Sequence, residues 1–254
     1  KGYTIQPYSP AAGTGLSSHE LNLPGCYKDV KDTTATALFK VIRNEQSAFL
    51  FENTDTDDVH IMAWTTTPWT LPSNTALTVG EKIIYSRVRT FNPYTGDPIT
   101  VVLATDLVNA FFPEANAGLA MDEYKQGDKN IPYKVLDKFT GSEMKDILYE
   151  QLIDWVNPGE GAFRVVTGDF VTTEEGTGIV HIAPTFGADD QRVGRENNIP
   201  ALMVRLEDGF MSPLVDRQGR MVPIEDMDPL YVKASVNTGT YTPFAGRYVK
   251  NEYN

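Results

Sequence analysis

Short apolar runs rich in β-branched and aromatic residues, separated by polar and turn-forming positions, recur along most of the chain, the pattern of successive β-strands. Ala35 to Ile42 is one such run, a polar Arg43-Asn44-Glu45-Gln46 turn follows, and Ala48 to Phe51 is the next, which together predict a hairpin. Val59 to Trp64 predicts a third strand. Beyond a proline-rich loop, Ile83 to Phe91 and Ile99 to Leu103 flank Asn92-Pro93-Tyr94-Thr95-Gly96-Asp97, whose turn chemistry closes a second hairpin. Further strand candidates run from Tyr133 to Phe139, Phe163 to Val171, Gly178 to Ala183 and Ala201 to Leu206. Helical spacing is confined to Thr105 to Phe112, to Ser142 to Val156 with Ile147, Leu148, Leu152 and Trp155 on one stripe, and to Ala188 to Asn197. Residues 1 to 32 are rich in turn formers, carry a Ser17-x-x-Glu20 capping-box signature, and predict an extended arm. From Asp208 onward the chain reads as short turns and hairpins. Many short strands with few helices predict one α+β, mainly-β domain, a closed or nearly closed β-barrel decorated by short helices.

Composition narrows the classes. At 254 residues the chain is long enough to bury a core without covalent staples, and Cys26 alone permits neither an internal disulfide nor a cysteine-pair zinc site. That cysteine usage suits a reducing compartment, read here as the cytoplasm. The longest apolar runs, such as Val59 to Trp64, fall far short of the roughly 20 residues that cross a bilayer, so no membrane partner is expected. Lys1 opens the chain without a targeting pattern, as a piece of a longer polypeptide would. The formal charge of −12 repels phosphate at long range, so any nucleic acid must be delivered by another body or touched only at a tip.

Two segments have compositions that strand and helix needs do not explain. Trp64-Thr65-Thr66-Thr67-Pro68-Trp69-Thr70-Leu71-Pro72-Ser73-Asn74 ends the third strand. Pro68 removes a backbone donor and turns the chain out of the sheet, which leaves a rim of hydroxyls, an indole and an amide. Threonine is also a good strand former, so a purely structural rim competes with a binding one. The second segment runs from Gly176 to Asp190: a strand carries His181, Pro184 ends it, and Gly187 leads into a helix whose first turn holds Asp189 and Asp190. One aspartate there serves as a cap or dipole partner, and a histidine among apolar strand residues is commonly a satisfied core group. Gly176-Thr177-Gly178 lacks the preceding strand and following helix of a phosphate loop. His60, His181, Asp189, Asp190, Glu174 and Glu175 show no metal-ligand spacing, and Ser73 lacks a nucleophile elbow. The residues therefore point to a site that binds a small polar ligand through hydroxyls, an imidazole and a carboxylate, and activates water without a covalent intermediate.

Trp64 to Asn74 matches Trp-Thr-Thr-Thr-Pro-Trp-Thr-Leu-Pro-x-Asn, and Gly176 to Asp190 matches Gly-Thr-Gly-x-Val-His-x-Ala-Pro followed by Gly-x-Asp-Asp. In both signatures the chain closely resembles the editing domain inserted into isoleucyl-tRNA synthetases. Leu16 to Glu20, Tyr27 to Val30 and Phe244 to Arg247 resemble the strands by which that insertion leaves and rejoins a catalytic body, which makes 1–32 and 237–254 connecting arms of a single domain over 1–254. Valyl and leucyl relatives carry Thr-Thr-Arg-Pro, so Thr67 followed by Trp69 favours the isoleucyl type. Phe186 stands where the commonest bacterial form has histidine. A pocket made for isoleucine rejects valine weakly, one methylene being worth about 1–3 kcal/mol, and isoleucyl synthetases are the standard illustration of that limit. The resemblance implies hydrolysis of valine esterified to the 3′ end of isoleucine tRNA by positioned water, with no metal and no cofactor. It implies that Asp190 pairs with the substrate ammonium and leaves any cap role to Asp189. Thr66, Thr67 and Thr70 line the amino-acid pocket, Thr65 helps place the ester or the water, and His181 limits pocket size and orients water. Trp69 and Asn74 contact the terminal adenosine. The expected partners are that tRNA end, its valine and the catalytic body. The alternatives are a valyl- or leucyl-type editing domain and a non-catalytic module that docks the tRNA end.

Overall fold

The computed structural model of the chain describes residues 6–9, 12–27, 33–54 and 58–249. The arm opens with β1 (Tyr8–Ser9), β2 (Thr14–Gly15) and the one-turn helix α1 (Ser18–Leu21). Ser17 and Glu20 close the expected capping box, the Glu20 carboxylate accepting from Ser17 N at 2.7 Å and Ser17 Oγ from Glu20 N at 3.3 Å. Lys28 to Val30 lie outside the described residues. The body contains β3 (Ala35–Lys40), β4 (Val59–Thr65), β5 (Ala76–Val79), β6 (Ile84–Phe91), β7 (Pro98–Ala104), α2 (Val108–Phe111), β8 (Lys134–Thr140), β9 (Arg164–Thr167), β10 (Ile179–Ile182) and α3 (Ala188–Glu196). A smaller lobe adds β11 (Met203–Arg205), β12 (Met211–Pro213), α4 (Pro229–Ser235) and α5 (Thr238–Tyr241).

Five strands form one sheet in the order β3-β4-β7-β6-β8, and three form another in the order β10-β5-β9. Both are open at their edges, so the architecture is α+β and mainly β, but the expected closed barrel is two facing sheets instead. Phe39, Ile61, Tyr85 and Val102 from the larger sheet meet Leu77, Val79, Val165 and Ile179 from the smaller one in a single buried cluster. The outer face of the larger sheet is covered by Val108, Phe111, Phe112 and Tyr133, and that of the smaller one by Val193 of α3 and Ile199. Sheets buried on both faces explain the near-continuous apolar run of β4.

The expected hairpin from Ala35 to Phe51 is not formed. β3 pairs antiparallel with β4, and Ala48–Phe51 makes a 3-10 turn. Ser47 Oγ donates to Ile42 O at 2.7 Å and Asn44 Oδ1 accepts from Ser47 N at 3.0 Å, which curls the chain so that the adjacent Leu50 and Phe51 are both buried. The expected helix from Ser142 to Val156 is also absent. A Thr140–Glu143 capping box starts a single 3-10 turn, Gly141–Met144, and Asp146 then adopts φ of 64°. From there Ile147 and Tyr149 are buried while Leu148 and Glu150 face out, a period-two stretch bridged to Arg164 and Val41. The C-terminal stretch from Asn237 to Val249 is mostly exposed and is anchored to the smaller lobe at Tyr241. Tyr241 is fully buried, donates to Val222 O at 2.7 Å and leans on Trp155 within the second apolar cluster.

The two sheets touch through Thr177 and Gly178. Thr177 O accepts from Ala104 N at 2.8 Å, its Oγ1 accepts from Trp64 N at 3.3 Å, and Gly178 O accepts from the Tyr85 hydroxyl at 2.7 Å. Burial pushes the Tyr85 phenol up to about 12, which keeps it a donor. Gly178 has φ of 69°, and a Cβ there would lie 2.5 Å from the Ala104 Cβ. Gly178→Ala is therefore expected to cost roughly 2–5 kcal/mol in backbone strain and overpacking. A urea titration should show a clearly lowered midpoint, and a midpoint equal to that of the parent would contradict the close approach.

Candidate functional site

β4 ends at Thr65, and Pro68 opens a 3-10 turn, Pro68–Ser73, that leaves the sheet as the sequence predicts. The turn brings the threonine hydroxyls into a row. Thr65 Oγ1 accepts from Thr67 N at 3.0 Å and lies 3.2 Å from Thr67 Oγ1, which lies 3.4 Å from Thr70 Oγ1. Thr70 Oγ1 donates to Thr67 O at 2.8 Å and meets His181 Nε2 at 2.8 Å. A hydroxyl has one proton, so with Thr70 donating to the carbonyl, the ring N–H at Nε2 donates to Thr70. Nδ1 is then the unprotonated nitrogen, buried and without a protein partner.

β10 carries His181 opposite Leu77 on β5, so the ring sits at the edge of the apolar core. It is 8% exposed, and this burial brings its pKa down to about 4. Asp190 is half-buried in the first turn of α3. Loss of hydration raises its carboxyl pKa, an effect opposed by the Ala183 N–H, which donates to Oδ2 at 3.0 Å, and reinforced by the neighbouring Asp189 charge. Neither aspartate caps α3. Gly187 occupies the N-cap without a side-chain bond, and Asp189 is exposed, with its nearest cation Arg192 at 3.6 Å. Gly187 has an ordinary φ of −118°, and a Cβ there would lie 3.1 Å from the Asp190 carboxyl carbon, so a side chain would press on that carboxylate.

These groups line one cleft of about 550 Å³. Of the residues that the sequence nominates, Thr65, Thr66, Thr67, Trp69, Thr70, His181 and Asp190 all border it. Asn74 does not. It is 3% exposed, with Nδ2 donating to Ala76 O and Oδ1 accepting from the Tyr149 hydroxyl, both at 2.8 Å, and so it cannot contact an adenosine. The lining also includes Phe170, Thr172 and Glu175, which lie outside the two signature segments, and Phe186 within the second, none of which the sequence nominates as a ligand contact. Gly168, which ends the strand one residue after Thr167, is the signal that Phe170 lies on a turn rather than within β9. Phe186 was passed over because it departs from the commonest signature. Among the described residues no lysine or arginine borders the cleft, and no cluster of histidine, cysteine and acidic side chains can hold a metal ion. No described helix is long and apolar enough to cross a membrane.

No family model matches the chain. The isoleucine–tRNA ligase of Porphyromonas gingivalis is 57% identical over 254 residues, which is all of this chain and 22% of that protein. The isoleucine–tRNA ligase of Treponema denticola is 38% identical over 244 residues, covering 89% of this chain and 21% of that protein. The Plasmodium knowlesi cytosolic leucyl-tRNA synthetase editing domain superposes with a TM-score of 0.47 at 14% identity, over 70% of this chain and 72% of that one. The chain is thus a domain of the aminoacyl-tRNA synthetase class. Within it, the chain belongs to the isoleucyl-tRNA synthetase family and spans about a fifth of the length of the relatives it matches.

The His181 environment has a consequence in pH. The free imidazole titrates near 6.5, so between 6.5 and about 4 the unfolded chain binds a proton that the folded one does not. The contribution of the neutral ring to stability is complete above 6.5 and is lost as pH falls toward 4. In an NMR titration the His181 ring signals should stay those of a neutral imidazole down to about pH 5, and an inflection near 6.5 would contradict the burial argument.

Proposed function

We propose that the cleft hydrolyses a valyl ester carried on the 3′ end of isoleucine tRNA, a proofreading reaction within a larger synthetase. The observation that carries this reading is the hydrogen-bonded row Thr65, Thr67, Thr70 and His181 in the same cleft as the Asp190 carboxylate. An aminoacyl ester presents an ammonium, a carbonyl, a ribose hydroxyl oxygen and a small apolar side chain, and each has a counterpart here. Asp190 pairs with the ammonium, a charge-assisted contact strengthened by partial loss of water. Loss of water raises its pKa, and a bound cation would offset that cost to the charged form. His181 is neutral at pH 7, so it does not repel the ammonium, and its bulk borders the space left for the side chain. Thr66, Thr67 and Thr70 line that space, Thr65 helps to hold the ester or the water, and Trp69 offers a stacking face to the terminal base.

The reaction needs only positioned water. The water oxygen adds to the ester carbonyl carbon, the carbon–oxygen bond to the ribose breaks, and the ribose oxygen takes a proton to restore the tRNA hydroxyl. The products are free valine and uncharged tRNA. Preorganised hydroxyl dipoles stabilise the charge that develops on the carbonyl oxygen, and a fixed geometry removes much of the entropic cost. Neither step calls for a metal or a cofactor. The −12 charge fits a domain that receives only the single-stranded tip of a tRNA gripped by the catalytic body, in the cytoplasm where charging occurs.

Two substitutions test the roles. Asp190→Asn should lower kcat/KM for valyl-tRNA by roughly 10- to 100-fold through loss of a charged contact. Retention of the parent rate would remove Asp190 from ammonium binding. His181→Ala should lower the preference for valyl- over isoleucyl-tRNA by roughly ten-fold; an unchanged preference would assign size selection to another group in the cleft.

A further inference from the structure

The turn that carries Thr70 is a 3-10 segment, whose hydrogen bonds are poorly aligned and whose place depends on what holds its ends. Its far end is Asn74, whose backbone N–H closes the turn on Leu71 O at 3.0 Å. The Asn74 side chain then accepts from the hydroxyl of Tyr149, which is 1% exposed and lies outside the cleft. The Tyr149 ring is itself fixed, edge-on to Phe39 at 5.3 Å and to Phe163 at 6.0 Å, while its backbone N–H donates to Phe163 O. The end of the hydroxyl-bearing turn is thus tied to the apolar core by a buried phenol, alongside local bonds from Asn74 Nδ2 to Ala76 O and from Thr75 N to Ile182 O.

We infer that Tyr149 is a positioning residue for the cleft, setting through Asn74 the place of the Thr70 hydroxyl against His181. The inference rests on the ester-hydrolysis reading for its kinetic consequence but not for its structural one. The test compares the parent chain with Tyr149→Phe and with Tyr241→Phe, which deletes an equally buried phenolic hydrogen bond in the second cluster. Both variants should unfold at lower urea concentration. Only Tyr149→Phe should move the His181 ring ¹⁵N resonances and lower kcat for 3′-O-valyl-adenosine, by roughly ten-fold for a slight misplacement of the Thr70 hydroxyl. Where Tyr149→Phe does not fold, Asn74→Ala removes the acceptor, together with the Nδ2 bond to Ala76 O, keeps the Tyr149 ring packing, and is read against Asn74→Asp, which loses only the Nδ2 bond and should leave the His181 resonances in place. A parent chain inactive on the ester would sink the hydrolysis reading while the ring shifts still decide the mooring. Unchanged His181 resonances in Tyr149→Phe, or an equal shift in Tyr241→Phe, would overturn it.

Discussion

Everything at the cleft depends on how closely two sheets approach at Thr177 and Gly178. The Ala104 and Trp64 backbones and the Tyr85 phenol all bond to these two residues, and Gly178 leaves no room for a side chain against Ala104. With the seam closed, β10 runs beside β4, and the strand bearing His181 meets the turn bearing Thr70 at hydrogen-bond distance. Neither sheet alone contains the site. Buried carbonyls that accept from the partner sheet make the approach a matter of hydrogen-bond geometry as well as of apolar contact, which fixes the separation more sharply than packing alone.

The same burial sets the electrostatics. Removing water from His181 holds it neutral, and removing water from Asp190 makes its charge costly until a cation arrives. The cleft is bordered by a half-buried carboxylate, a neutral imidazole and hydroxyls, with no lysine or arginine among the described residues, a lining that favours a cation over phosphate. The acidity of the chain as a whole, at −12, has the same sign as this lining.

Much of this was readable from residue order. The strand-turn boundary at Pro68 and the strand-turn-helix course from Ile179 to Glu196 follow from proline and glycine positions and from period, and seven of the eight nominated side chains meet in one cleft. The failures share a physical cause. Ala48 to Phe51 and Ser142 to Val156 have apolar spacings compatible with more than one element, and side-chain bonds from Ser47 and Asn44, or bridges to Val41 and Arg164, decided between them. Asn74 belongs to a signature, but membership does not say whether a residue touches a ligand or holds the residues that do. Its burial against Tyr149, a partner 75 positions away, is visible only in three dimensions. Gly176 and Gly178 lack the context of a phosphate loop, and what they serve instead is the close contact with Trp64 and Ala104.

The most direct measurement is the hydrolysis of 3′-O-valyl-adenosine and 3′-O-isoleucyl-adenosine by the unmodified chain, free of any contribution from tRNA binding elsewhere. Release of valine well above the buffer rate, with isoleucine spared, is the expected result. Two esters cleaved no faster than in buffer alone, or both cleaved equally, would contradict a cleft that recognises the ammonium through Asp190 and side-chain size at His181.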